Sequence, residues 1–506
     1  MYVDNVKDII HLLNNDDKKE FRSFINRQRS RKNRKDLELF EILCETESYP
    51  AKEIVKRLYD ELNMNAYHSI RKRLLKHLTD FIIVKRIDED TTSASSIMGL
   101  LALSRFLFEN DNDRVGWIYL IKSEQLAINS EQFDLLDNIL NVQIENANSD
   151  YAPKIDQIIE KWKTNKSLAD EDERANIANA ILQIKLDEYR IHGKPIEIQK
   201  EVTKVMYEYD LYNAALERPK IIHNLLAIVR GSVLAKKEYY KFEPLVIESF
   251  NQIENSVGFQ KKDYFYKLNI LYMIAHILYR NKKFKESLEY LMLFKKEITK
   301  YAKSYSRKFY PRYLLLYATV QNIEGNVEES IRVIEEALSV NKDILSIQDV
   351  LNMKINLGVY YFELEKYKES NKIIYSIENS DKWLEKKMGK EWILRKNLGE
   401  ILNLYERGNV EIAMNRIKSF EKQHATLLKL PIYSRVGTFL TFIKVCIDEP
   451  YWVSSKEFNA RVNETLERWP IDQEDLIASS FYCWLKAKML KKPFYYVMVE
   501  TLQGRL

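Results

Sequence analysis

With 506 residues the chain is long enough to bury a large core, and its 12 glycines, 10 prolines and 30% charged residues exclude a turn-rich β protein in favour of long helices joined by short turns. Cys44, Cys446 and Cys483 form no CxxC pair and are odd in number, which argues against a disulfide framework and a cysteine zinc site and fits a reducing compartment. The net charge of +5 is segregated: residues 261–312 carry 14 Lys/Arg against 4 Asp/Glu, a balance of +10 that leaves the remainder near −5.

Residues 1–87 read as an N-terminal helical unit. Val6, Ile9, Ile10 and Leu13 lie at helical spacing in 4–14, and Phe21, Phe24 and Ile25 in 16–29. Helices follow over 37–44 and 51–62, and a longer one over 65–86 turns Ile70, Leu74, Leu75, Leu78, Phe81 and Ile82 inward. The first residues are charged and no run of about 18 apolar residues occurs, so neither secretion nor a membrane span is expected. Heavy use of Lys, Ile, Asn and Tyr fits an AT-rich bacterial genome, and a cytoplasmic bacterial protein is expected. The short polar residues of 88–96 compete for helix hydrogen bonds and mark a boundary linker. From Ile97 to Leu506, amphipathic stretches of roughly 12–22 residues alternate with short turns. Pro195, Pro219 and Pro244 stand where helices should begin.

One pattern recurs within 97–506. Leu357-Gly358-Val-Tyr-Tyr361, followed by Tyr367, Ser370, Ile374 and Ile377, puts small residues where two helices must approach and large ones in the groove between them. Ala275 with Ser287 and Ala318 with Ser330 match it; Ala413 matches while Ile401 does not. The small residues Ser287, Ser330, Ser370 and Ala413 are spaced 43, 40 and 43 apart. Weaker copies centre on Leu136, Ile198, Leu245, Phe458 and Val497, giving about six to nine hairpins. The pattern resembles the tetratricopeptide (TPR) repeat, W-x2-L-G-x2-Y then A-x3-F, with a period longer than that family's roughly 34, which leaves HEAT-like and other α-solenoids open. The resemblance implies an all-α, right-handed α-solenoid of antiparallel helix hairpins with the N-terminal helical unit as a cap on the array.

Neither GxxxxGK[ST] nor GxGxxG occurs, and His11, His68, His77, His192, His223, His276 and His424 include no HExxH spacing, so no enzyme activity, cofactor or metal is expected. Asp170-Glu-Asp-Glu173 reads as a stabilised helix N-terminus. Two basic segments stand out. Lys300 to Arg312 interleaves cations with rings, a mixture able to hold phosphates and stack bases, or to fill an interhelical groove beneath a solvated cationic coat. Arg27 to Lys35 places six cations in nine residues, and the helices on either side of 63–65, the second carrying Arg71, Lys72, Arg73 and Lys76, have helix-turn-helix proportions. Against a DNA-binding head, residues 1–90 balance at 19 basic to 17 acidic.

In the TPR register the concave face is lined by Asn269, Tyr272, His276 and Tyr279 of one hairpin, Arg312, Thr319 and Asn322 of the next, and Asn352 and Asn356 of the third. The resemblance implies that such amide, hydroxyl and cationic groups face solvent and grip a peptide backbone or terminal carboxylate. A protein or peptide partner, acidic in character, is therefore expected, with nucleic acid as the alternative and no membrane.

Overall fold

The computed structural model describes residues 5–13, 15–28, 34–45, 51–59, 62–89, 93–192, 197–236, 239–300, 303–340, 345–429, 433–466 and 476–504. Among these there is no β-strand. Pro195, Arg29, Arg31, Lys32 and the middle of the 88–96 linker lie outside the described residues. The chain divides into two compact units, Met1–Asp172 and Glu173–Leu506.

The first unit opens with α1 (Asn5–Leu12), α2 (Asn15–Gln28), α3 (Lys35–Glu45), α4 (Ala51–Leu58) and α5 (Met64–Glu89). Their apolar stripes close one core from Val6 to Phe81, in which Phe21 meets Phe40 at 4.7 Å and Phe81 at 5.3 Å. α6 (Ala94–Glu109), α7 (Asp113–Asn129) and α8 (Phe133–Glu145) follow, with a second core from Ile97 to Ile158. α6 therefore already includes the last residues of the 88–96 segment. The junction between the units falls inside α9 (Ile155–His192), whose 38 residues exceed the helix lengths read from sequence. This corrects the reading of Asp170 to Glu173: they sit mid-helix, where no exposed N–H groups await a carboxylate.

The second unit contains α10 (Ile198–Glu208), α11 (Tyr212–Glu217), α12 (Pro219–Lys236), α13 (Glu243–Asn255), α14 (Tyr264–Arg280), α15 (Phe284–Lys300), α16 (Lys303–Ile323), α17 (Val327–Val340) and α18 (Ile347–Glu363). It continues with α19 (Tyr367–Tyr375), α20 (Asp381–Met388), α21 (Lys390–Glu406), α22 (Val410–Gln423), α23 (Ala425–Leu428), α24 (Ser434–Asp448), α25 (Lys456–Leu466), α26 (Leu476–Leu490) and α27 (Phe494–Leu502). Neighbours pack in adjacent pairs, and α12, α14, α16, α18 and α21 also touch in succession. One continuous core runs from Ala175 to Leu502. The weaker sequence copies at Leu136, Ile198, Leu245, Phe458 and Val497 are all buried in helices.

Two devices repeat through the pairs. The small residues join helices by hydrogen bonds: Ser287 Oγ donates to the Ala275 carbonyl at 2.8 Å, Ser330 Oγ to Ala318 at 2.7 Å and Ser370 Oγ to Gly358 at 2.6 Å. The α6–α7 pair uses the same 12-residue separation in reverse, Ser104 Oγ donating to the Gly116 carbonyl at 2.9 Å. A Cβ at Gly116 would lie 2.8 Å from the Phe108 ring, so any larger residue there would have to displace that ring. The second device is the turn. Asp111, Glu131, Asp210, Lys282, Gly325, Glu365, Gly408 and Lys491 all adopt positive φ. Each is followed by an N–H bonded back into the preceding helix, as in Lys283 to Leu278 and Lys366 to Tyr361, both at 2.9 Å. This left-handed closure satisfies carbonyls the helix end would leave open.

Candidate partner-binding face

The consecutive contacts of α12, α14, α16 and α18 align the face that carries most of the residues singled out by sequence. At its first end, three arginines pack on Tyr272 and the neighbouring tyrosine rings. The Arg230 guanidinium lies 6.0 Å and the Arg312 guanidinium 5.7 Å from its centroid, and Arg280 stacks near Tyr279 at 5.9 Å and Tyr239 at 5.5 Å. His276 lies between the two tyrosines, 5.9 Å from Tyr272 and 6.3 Å from Tyr279. All seven side chains are half-buried or buried, so their charges act through protein as well as water.

Electrostatics at this end are those of crowded like charges. Burial, then Arg280 and Arg230, hold His276 well below its ordinary 6.5, so the ring is neutral near pH 7. Burial lowers Arg230, with Arg312 and Arg280 adding repulsion and Tyr272 opposing it. Burial and Arg312 lower Lys308, whose ammonium sits 4.4 Å from the Phe265 ring centroid. An anionic group entering here would relieve repulsion among cations already fixed by ring contacts.

The other predicted residues separate from this cluster. Asn269 is half-buried and donates to its own helix at the Phe265 carbonyl, 2.8 Å. Asn352 accepts from Trp392 Nε1 at 3.0 Å, and Asn356 from Arg395 Nη2 at 3.1 Å. Asn322 corrects the expectation of a solvent-facing amide: it is 4% exposed and donates to Glu363 Oε2 at 2.7 Å. Asn269, Arg312 and Asn356 are half-buried and engaged: Asn269 within its own helix, Arg312 on Tyr272 of α14 and Asn356 with Arg395 of α21. Tyr279, Thr319, Asn322 and Asn356 line a cavity closed by α26 and α27. α27 is tied there by Tyr495 Oη donating to the Asn322 carbonyl and Gln503 Nε2 to that of Ile323, at 2.7 and 2.8 Å.

Sequence reasoning missed Arg230 and Arg280 at the cationic end, and Glu363, Arg395 and Asn403 around the cavity. Arg280 was legible, three residues beyond Ile277 at the end of the same helix; Arg230 lies in α12, where the repeat pattern is too weak to give a register. In the basic-aromatic segment, Phe309 is fully buried and Tyr305 and Tyr310 pack against the core, the groove-filling arrangement rather than a base-stacking one. In the first unit Arg34 and Arg73 both reach Asp36, at 2.9 and 3.5 Å, Arg22 pairs with Glu41 and Lys85 with Asp17, while Lys72, Arg73 and Lys76 are exposed. Among the described residues no group of three or more His, Cys, Asp or Glu could hold a metal ion, and no helix is long and apolar enough to cross a membrane. No protein-family model and no curated protein sequence matches the chain.

Proposed function

We propose that the chain is a non-enzymatic scaffold or adaptor acting in the cytoplasm, and that the helix pairs of its second unit form a TPR-like, right-handed solenoid of antiparallel hairpins. Its partner is an acidic protein segment, held on the concave face by Arg230, Arg280 and Arg312 with Tyr272 and His276. One observation carries this reading: two half-buried guanidiniums, Arg230 and Arg312, flank the Tyr272 ring with Arg280 on the adjoining Tyr279, and burial together with Arg280 and Arg230 depresses the neighbouring histidine. Such a site attracts carboxylates over distance and then holds them by paired N–H donors on contact.

The test is a fluorescence polarisation panel on the full chain: a Glu/Asp-rich peptide, its Gln/Asn counterpart, a Lys-rich peptide and a uridine oligonucleotide. The acidic peptide should bind, with an affinity that falls as salt is raised. Preferential binding of the oligonucleotide would replace this reading with nucleic-acid recognition.

A further inference from the structure

Between α16, α18, α21, α26 and α27 lies a cavity of about 110 Å³ whose wall is largely apolar, including Leu402, Phe481, Trp484, Phe494 and Met498. Apolar walls alone would leave a dry void. This one also carries buried polar groups: Glu363 is 2% exposed, Asn322 4% and Asn403 1%.

The hydrogen bonds fix which valences remain open. Ser370 gives its one proton to the Gly358 carbonyl, so its oxygen must accept from Asn403 Nδ2, at 2.7 Å. The Asn403 amide is thereby oriented, and its Oδ1 is left buried without a donor. Asn322 Nδ2 donates to Glu363, and Asn322 Oδ1 is likewise left without one. Trp484 Nε1 goes to Glu406, Arg395 Nη2 to Asn356, and Thr319, having donated to the Leu315 carbonyl, takes the Tyr360 proton. Two amide oxygens remain, more than the one proton a neutral Glu363 can give, so the wall still calls for an N–H or O–H donor. Buried acceptors without donors are costly, and a ligand that supplies donors recovers that cost.

We propose that this cavity binds a small amphipathic primary amine, its head on the Glu363 carboxyl and the Asn322 and Asn403 amide oxygens, its apolar body against Phe481, Trp484 and Phe494. At about 110 Å³ the cavity is smaller than the roughly 150 Å³ void that accommodates benzene, so a short branched chain rather than a ring sets the size. Burial raises the Glu363 pKa to about 8, against the Asn322 hydrogen bond and Arg395. Below that pH Glu363 is a neutral acid, and entry of an ammonium ion converts acid and RNH3+ into a carboxylate–ammonium pair, with one proton released to solvent. The site shares Tyr279 with the arginine cluster but is lined by none of its three arginines.

Calorimetric titration of the full chain with isobutylamine, isobutanol and isobutyrate, in two buffers of different ionisation enthalpy, tests it. Isobutylamine should bind with release of about one proton and an affinity rising about tenfold from pH 6 to pH 7. Isobutanol should bind at least about tenfold more weakly and isobutyrate not at all. Glu363→Gln should abolish both the proton release and the preference for amine over alcohol. Equal binding of alcohol and amine, proton release that persists in Glu363→Gln, or no binding of any probe because the cavity holds water alone would each overturn the proposal. If Glu363→Gln fails to fold, the buffer and pH series on the unaltered chain decide it.

Discussion

Replacing Ser370 with Ala tests the joint between α18 and α19 one atom at a time. Ser370 is fully buried, donates to the Gly358 carbonyl at 2.6 Å and accepts from Asn403 Nδ2 at 2.7 Å. Alanine keeps the close approach but strands the Asn403 N–H in the core, a loss of about 1–3 kcal/mol. Gly358→Leu attacks the same joint by overpacking, because even a Cβ there would lie 3.0 Å from Ile374 Cγ1. Its cost is about 1–3 kcal/mol. Gly399, in α21, provides the control: a Cβ there meets Ile374 only at 4.0 Å, so Gly399→Ala should gain up to about 1 kcal/mol from helix propensity. Urea unfolding should be combined with hydrogen exchange across α18 and α19, since a chain of two compact units need not unfold in one step. Protection in these helices should drop for Ser370→Ala and Gly358→Leu and rise for Gly399→Ala. Wild-type protection and midpoints in both of the first two variants would refute the packing argument.

Glu365 holds a left-handed turn at φ 59°, so Glu365→Gly should stabilise by up to about 1 kcal/mol, and a lowered urea midpoint would contradict the strain inferred there. His276 has a folded pKa well below 6.5, so the unfolded chain alone takes up its proton as pH falls through 6.5. The stability present above that pH should decline below it by up to about 1.4 kcal/mol per unit; His276→Gln should flatten this slope, and an unchanged slope would count against a neutral buried ring. Glu363 has the opposite sign. Its folded pKa of about 8 lies above the ordinary 4.5, so the stability it contributes is complete below 4.5 and lost as pH rises toward 8. Glu363→Gln should therefore match wild type near pH 5 and exceed it at pH 8 in thermal unfolding, and equal differences at the two pH values would contradict this.

Helices with a strong apolar period were legible from sequence, as were the joints at Ala275, Ala318 and Gly358, because small residues recur there against large neighbours. The turns were harder. Of the eight left-handed positions, Asp111, Glu131, Asp210, Lys282, Glu365 and Lys491 are not glycine, so the usual punctuation is missing. The face carrying Asn322 was read as too wet, since periodicity tells which side of a helix a residue occupies and not what later covers it. Asn322 is buried by Glu363 from α18 and by α27, whose Tyr495 is 173 residues away in sequence. Asp170 to Glu173 misled because a carboxylate cluster looks the same at a helix start and in the middle of a long helix.

The most direct test of the acidic-partner site is the affinity of the Glu/Asp-rich peptide for Arg230→Gln/Arg312→Gln, compared with Arg332→Gln. Arg332 is exposed on α17 and paired with Glu329 and Glu336, so it controls for charge alone. Each inner arginine that donates to a carboxylate contributes about 1.5–3 kcal/mol, so the double variant should weaken binding by about a hundredfold or more while its helix content and exchange protection stay intact. Arg332→Gln should leave the affinity within about twofold. Equal binding by the double variant and the unaltered chain, or a larger loss from Arg332→Gln, would contradict the site.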